Sequence, residues 1–376
     1  MMCKITLFFH RNTRNIHRGQ STYVNNLINS LKNKWKTCLI GSTYNGYDGK
    51  SKPTEDFFYN ILSSYRNSFR YLLEDFFNRR YNSICRVYIA EDLYIAPLIL
   101  IFSKINGKIF VYRVSDFGRE YRYRISKSFK FPHFLYLISR SFEMLLIKVT
   151  DYFIVPSIAL KNELIEAGGE KSDILYYPYS RAFLEENLLL VEQVRKKLCL
   201  SDKIVAIFIG QTDYSPNVEA ILNIIQIAKI VENKLPSLQF IVVGKGTDTY
   251  SNENIKNISF VGEVDDIDSL LYVSHLGLTP VTVNGGLSIK TVDYLTHGLK
   301  VLSTKEGAYG VPENDQLKIR SLGEFTQGIS EFYYKVKRYG FQRQVSDIII
   351  KHYCGDYFVN IFLDEFNKKI NLSRKC

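Results

Sequence analysis

The chain has 376 residues, too many for one ordinary domain, and 46% of them are apolar, enough to build real cores and to exclude wholesale disorder. Its 49 Lys and Arg against 38 Asp and Glu give a formal charge of +11, which predicts an anionic partner (nucleic acid, anionic lipid or a phosphorylated substrate), although an AT-rich genome gives the same Lys-, Ile-, Asn- and Tyr-rich excess. Cys3, Cys38, Cys85, Cys199, Cys354 and Cys376 are scattered without a CxxC pair or a Cys/His zinc spacing, so they read as reduced thiols in a cytoplasmic protein.

KITLFF near the N-terminus reads as a buried first strand rather than a secretion signal, and the polar loop HRNTRNIHRGQS follows it. The next segment, TYVNNLINSLKNK, is periodic, with Val24, Leu27, Ile28 and Leu31 on one helical face. TCLIGS is a second strand. RVYIAED, KIFVYRVSD, DYFIVPS with ALKNELIEAGG behind it, and ILYYPYS continue the alternation of strand and helix. The longest apolar run, Tyr94 to Phe102, is well short of the ~20 residues that a membrane span needs. A charged segment, EENLLLVEQVRKKLCLSD, bridges to a second opening strand, KIVAIFIGQ, and the helix VEAILNIIQIAKIVENKLP. LQFIVVGKG, ISFVGEV, HLGLTPV and LKVLST are four more β-rich runs. The tail, about Phe341 to Lys369, is helical, and part of it is expected to cross back to the first domain.

This alternation predicts an α/β chain of two Rossmann-like domains facing each other across a cleft. The expected bounds are 1–180 with a C-terminal helix of about 350–376, a linker at 181–202, and 203–349. Ligands in such sheets bind beyond the carboxyl ends of the strands.

The segment VNGGLSIKTVDYLTHGLKVLST, Val283 to Thr304, carries the sharpest local chemistry. Ser288 is placed to cap a short helix whose Ile289, Val292 and Leu295 face inward, and Gly298 closes it at the left-handed C′ position. Gly285 and Gly286 let backbone amides approach a ligand, and those amides with the helix N-terminus and the Lys290 ammonium suit a diphosphate. Asp293, one turn on, is placed to accept hydrogen bonds from ribose hydroxyls. A tight turn with a surface Lys–Asp pair is the competing reading.

In order and spacing, IGQTDYSPNVEAIL, IVVGKG, FVGEVDDIDSLLYVSHLGLTPV, NGGLSIKTVDYLTHGLKVLST and EGAYGV resemble the nucleotide-binding domain of GT-B glycosyltransferases of family 4. The resemblance is strong from about Lys203 to Val311 and looser in the first half, through HRGQSTYVNNLINSL and VPSIALKNELIEAGGEKSDILYYP. It implies a retaining transferase that needs no bound metal and takes its sugar from a nucleotide-sugar donor, UDP-linked by the family's commonest usage. By the same resemblance, the backbone at Glu263 and Val264 contacts the base, Lys290 neutralises the donor phosphates and Asp293 holds the ribose. The amides of Gly285, Gly286, Leu287 and Ser288 cradle the distal phosphate and the sugar. Gly19 and Gly210, at the loop-to-helix turns after each domain's first strand, let backbone approach the same donor.

Two departures stand out. The family's Glu-x7-Glu pair is here Gly285 and Asp293, which removes a usual contact to the sugar. The Arg and Lys that often follow the domain's first strand are missing from GQTDYSPNVEA, leaving phosphate neutralisation to Lys290, with Arg11, Arg14 and Arg18 as helpers or as solvated loop charges. His10 and Asp116, at the carboxyl ends of first-domain strands, join Lys290 as candidate catalytic residues, with packing or capping as their alternative roles. DEF near Asp364 and VDDID near Asp265 read as helix-surface or capping acids, and no Asp-x-Asp metal motif stands at a strand end.

Arg119 to Val149 interleaves Arg119, Arg122, Arg124, Lys127, Lys130, Arg140 and Lys148 with Tyr121, Tyr123, Phe129, Phe131, Phe134 and Tyr136. That mixture suits an anionic membrane surface and a lipid-linked acceptor, or a core helix with a basic outer face. A glycan or protein acceptor is equally compatible, and the expected location is cytoplasmic, peripheral at the inner face of the membrane. Three other readings stay open: a catalytically silent nucleotide-sugar-binding protein, a UDP-sugar epimerase, and a nucleic-acid binder, the last without a recognisable motif.

Overall fold

A computed structural model describes residues 5–8, 19–35, 37–40, 66–70, 72–73, 86–91, 93, 95–117, 133–179, 188–251, 255–284 and 286–372. His10, Arg11, Arg14, Arg18 and Gly285 lie outside them, as do Arg119, Tyr121, Arg122, Tyr123, Arg124, Lys127, Phe129, Lys130 and Phe131. The chain divides into two compact units, 1–180 with 356–376, and 181–355.

In the first unit, β1 (Ile5–Phe8), β2 (Thr37–Ile40), β3 (Val87–Ala90), β4 (Ile109–Arg113), β5 (Tyr152–Val155) and β6 (Ile174–Tyr176) form one sheet of order β2-β1-β3-β4-β5-β6. Every pairing is parallel. Strands covered on both faces read as unbroken apolar runs, and β3 is buried at all four positions. Helix α1 (Gly19–Lys34) buries Val24, Leu27, Ile28 and Leu31, the face that the periodicity marks. Helices α2 (Ala96–Ile105), α3 (His133–Val149) and α4 (Ile158–Glu166) complete the crossovers. Ser157 caps α4, its Oγ accepting from Leu160 N at 3.2 Å.

A buried ion pair in this unit was not foreseen from the sequence. Glu91 and Arg113, just beyond β3 and at the end of β4, meet at 2.9 Å with both side chains almost wholly buried. The guanidinium also stacks over the Tyr23 ring, 4.4 Å from its centroid, which offsets part of its desolvation.

The second unit begins with α5 (Leu188–Lys197), in the stretch expected to be a linker. It is a packed element of this unit instead: it lies on α7 (Asp268–Val273), and Arg195 Nη2 donates to Val273 O at 3.2 Å. Strands β7 (Ile204–Ile209), β8 (Leu238–Val243), β9 (Ile258–Gly262), β10 (Leu276–Thr279), β11 (Lys300–Ser303) and β12 (Leu317–Ile319) form a second parallel sheet of order β12-β11-β10-β7-β8-β9. Helix α6 (Ser215–Val231) packs Ile221, Ile224 and Ala228 against Phe208, Phe240 and Val242 of the sheet. Helices α8 (Ile289–Thr296), α9 (Phe325–Tyr339) and α10 (Asp347–Tyr353) follow.

The final helix, α11 (Tyr357–Leu372), belongs to the first unit. Phe362 meets Tyr177 and Phe366 meets Trp35 edge-on, at centroid distances of 4.9 and 5.6 Å, and Lys34 pairs with Asp364 at 3.2 Å. Asp364 is therefore a helix-surface acid. Among the described residues no helix is long and apolar enough to cross a membrane.

Candidate functional site

In the second sheet the strand order reverses between β7 and β10, which lie side by side. The crossovers from these two strands leave in opposite directions, and the space beyond their carboxyl ends is where an open α/β sheet accepts ligands. The elements that follow these two strands are α6 and α8, and a contact between them marks the spot.

That contact is made by Lys290. Its Nζ donates to Asn217 Oδ1 on α6 at 2.6 Å and lies 4.4 Å from the centroid of the Phe208 ring on β7. Burial alone pushes its pKa down to about 7, and no carboxylate among the described residues stands close enough to restore it. A lysine paired with a surface aspartate would behave otherwise, so the Lys290–Asp293 surface pair is not what the structure contains. The residue as a whole is only half-buried.

Helix α8 is held rigidly. Thr291, wholly buried on its inner face, donates through Oγ1 to Gly307 O at 2.6 Å. Its one proton is thus used, so the hydroxyls of Thr279 and Ser288, at 3.1 and 2.9 Å, must donate to it. Tyr294 is also wholly buried, and its hydroxyl accepts from Ile209 N at the end of β7 at 2.8 Å. Ile289 is only half-buried, so the apolar face is carried by Val292 and Leu295. At the far end Gly298, with φ of 69°, sits at C′, where Leu299 N bonds Tyr294 O and Gly298 N bonds Leu295 O, a Schellman stop.

The expected roles at the near end need correction. Ser288 occupies the N-cap position, but its hydroxyl makes no bond to the helix backbone, because the buried Thr291 hydroxyl claims it. The amide of Ser288 donates to Tyr309 O at 3.1 Å and that of Gly286 to Asn284 Oδ1 at 3.3 Å. Two of the amides expected to cradle phosphate and sugar are therefore satisfied within the protein. Leu287 and Asp293 are half-buried.

The remaining predicted residues fall as follows. Gly210 follows β7 directly, and a Cβ there would stand 2.8 Å from Asn217 Cγ and from Phe208 Cε1, so a side chain would displace one or both. Glu263 is exposed and Val264 half-buried in the loop after β9. Gly19 opens α1 in the first unit, and Asp116 is half-buried in the segment after β4. Among the described residues no three His, Cys, Asp or Glu side chains converge as a metal-binding group. Nothing in the sequence marks Asn217 or Phe208: Asn217 is one of several polar residues in its helix, beside Glu219, Asn223, Gln226 and Lys229, and Phe208 is one apolar residue in a strand of them.

Residues 203–333 match the sequence family described as Glycosyl transferases group 1. No curated protein sequence matches the chain. Among solved structures, sucrose-phosphate synthase from Thermosynechococcus elongatus is similar over 99% of this chain and 99% of its own, with 12% identity and a TM-score of 0.72. Anabaena HepE in complex with UDP and glucose covers 97% and 99%, with 14% identity and a TM-score of 0.65. The S. aureus MnaA–UDP co-structure covers 99% and 98%, with 12% identity and a TM-score of 0.62. At such identities the likeness establishes the fold, which is GT-B.

Proposed function

We propose that the chain, whose residues 203–333 match the glycosyl transferases group 1 family, is a glycosyltransferase that draws on a nucleotide sugar, that its donor is a UDP-sugar held by Lys290, and that the sugar is transferred with retention of anomeric configuration. The observation that carries this reading is the Lys290 ammonium, a desolvated cation at the strand-order reversal with no carboxylate partner among the described residues. Such a group is unfavourable in the folded chain until an anion reaches it.

In the proposed reaction the bond between the sugar's anomeric carbon and the diphosphate breaks, and negative charge collects on the departing nucleoside diphosphate. Lys290 and the N-terminal end of α8 stabilise that charge, and no bound metal is required. Asp293, one turn along the same helix, takes the ribose hydroxyls, and the backbone at Glu263 and Val264 takes the base. Gly210 and Gly19 are proposed to allow close backbone approach to the donor, and Gly285 and Leu287 to lie on the sugar side. Asp116 and His10 of the first unit are proposed to act on the transferred sugar or its acceptor. HepE and MnaA were both solved with UDP, which supports the choice of base.

For the acceptor we favour a lipid-linked molecule reached from a membrane surface, with a glycan or protein as the alternatives. Helix α3 supports this, because Leu137, Ile138 and Leu145 are each about half exposed along it, with Arg140 and Lys148 among them. Flotation with anionic vesicles tests it; a chain that stays at the bottom of the gradient has no such surface.

The donor is tested by a thermal-shift screen against UDP, GDP, ADP and TDP and their sugars, since a ligand that binds only the native state raises the melting temperature. The reading expects the largest shift from UDP species and its loss in Lys290→Ala. Equal shifts in wild type and variant would refute it.

A further inference from the structure

We infer that Asn217 is the positioning residue of the donor site: it fixes the Lys290 ammonium toward the phosphates without neutralising it, and it locks that ammonium to the loop after β7. The inference rests on the phosphate-binding reading of Lys290 and adds a residue which that reading does not contain.

The geometry is specific. Asn217 lies in the first turn of α6, is only 7% exposed, and uses both ends of its amide. Nδ2 donates to Gln211 O at 2.9 Å, and Oδ1 accepts from Lys290 Nζ at 2.6 Å. Its backbone N–H donates to Tyr214 O at 2.9 Å, closing the turn that carries it. Gly210 is packed against Asn217, so that a Cβ there would stand 2.8 Å from Asn217 Cγ and displace the amide. The amide thus ties together three pieces that converge at the strand-order reversal: the loop Gly210–Gln211, the start of α6 and the start of α8.

The chemistry of an amide suits this task and that of a carboxylate does not. An ammonium has three N–H donors. Asn217 accepts one and the Phe208 ring lies against the ammonium, which leaves donors for phosphate oxygens. An amide oxygen orients the cation while the full positive charge remains to be met by the ligand. An aspartate in the same place would form an internal ion pair, and the incoming diphosphate would have to compete with it.

The test is a double-mutant cycle on UDP binding by calorimetry in the full-length chain, using Asn217→Asp, Lys290→Met and the double variant, with uridine as a phosphate-free control. Asn217→Asp is nearly isosteric but turns a carboxylate oxygen toward Gln211 O in place of the donating amide nitrogen, so Asn217→Ser serves as a second variant if the aspartate does not fold. The expected result is a loss of UDP affinity of about tenfold or more in Asn217→Asp, unchanged uridine binding, and almost no further loss when the change is made in Lys290→Met. A second readout needs no nucleotide: the Lys290 titration, followed by the NMR shift of its ε-carbon and assigned by its loss in Lys290→Met, should move to higher pH in Asn217→Asp. Equal losses in the presence and absence of Lys290, or an unmoved titration, would overturn the assignment of Asn217. If instead Lys290→Met binds UDP like wild type, the phosphate site itself is wrong and Asn217 falls with it.

Discussion

The Lys290 ammonium lies over the face of the Phe208 ring, 4.4 Å from its centroid, and its one hydrogen bond among the described residues goes to Asn217, a neutral amide. A cation so placed is attracted by the ring and by the amide dipole, yet neither replaces the water it has lost. The depressed pKa, about 7 against an ordinary 10.5, expresses that deficit. A residue kept in this state is costly to the fold and useful to a ligand.

Lys290→Met should therefore raise stability while weakening nucleotide binding. The sign follows from proton linkage. Between about pH 7 and 10.5 the unfolded chain holds a proton at this lysine that the folded chain has released, so stability rises with pH through that window, and the cost is fully present below it. The variant's advantage in melting temperature should be largest at pH 7 and below and should shrink toward pH 10. A lower melting temperature at neutral pH would show that the lysine is structural.

Binding of UDP should weaken as pH rises above 7. Only the charged form of Lys290 serves the phosphates, whose own ionisation is largely complete above a pKa of about 6. The affinity should fall by up to about tenfold per pH unit between roughly pH 7.5 and 8.5, with proton uptake on binding. Calorimetry in buffers of different ionisation enthalpy measures both. Affinity that is flat across this range would place the anion elsewhere.

Tyr294→Phe should destabilise the second unit by about 1–3 kcal/mol, because the Ile209 N–H at the end of β7 would lose its acceptor in a buried place. Denaturant midpoints give the value. Since the hydroxyl also fixes α8 relative to β7, donor affinity should fall with it; an unchanged midpoint would mean that water or another group replaces the hydroxyl.

Asp116→Ala should reduce turnover more than it reduces donor affinity, if the carboxylate acts on the sugar or acceptor. Steady-state kinetics with UDP binding measured separately distinguishes this from a structural role, in which only thermal stability would change.

Much of the architecture was legible because buried parallel strands are unbroken apolar runs: KIVAIFI and LQFIVV could be little else. Strand β12 escaped notice because three residues at a sheet edge, with Lys318 and Ile319 exposed, carry almost no pattern. The stretch 181–202 read as a linker because its charges hide the face that packs on α7. Within the site, Lys290 could be picked out by its place after a glycine pair at a helix start. Asn217 could not, since its partner is 73 residues away and only the sheet order brings the two together. Ser288 was legible as the N-cap residue, but its hydroxyl partner depends on Thr291 being anchored by Gly307, a contact made across a later loop.

The central claim is that Lys290 receives the diphosphate of the sugar donor. A structure of the chain with UDP bound tests it most directly, through the distance from Lys290 Nζ to the nearest phosphate oxygen. The expected distance is about 2.7–2.9 Å, that of a charge-assisted hydrogen bond. A diphosphate bound elsewhere, with Lys290 still held only by Asn217 and Phe208, would contradict it.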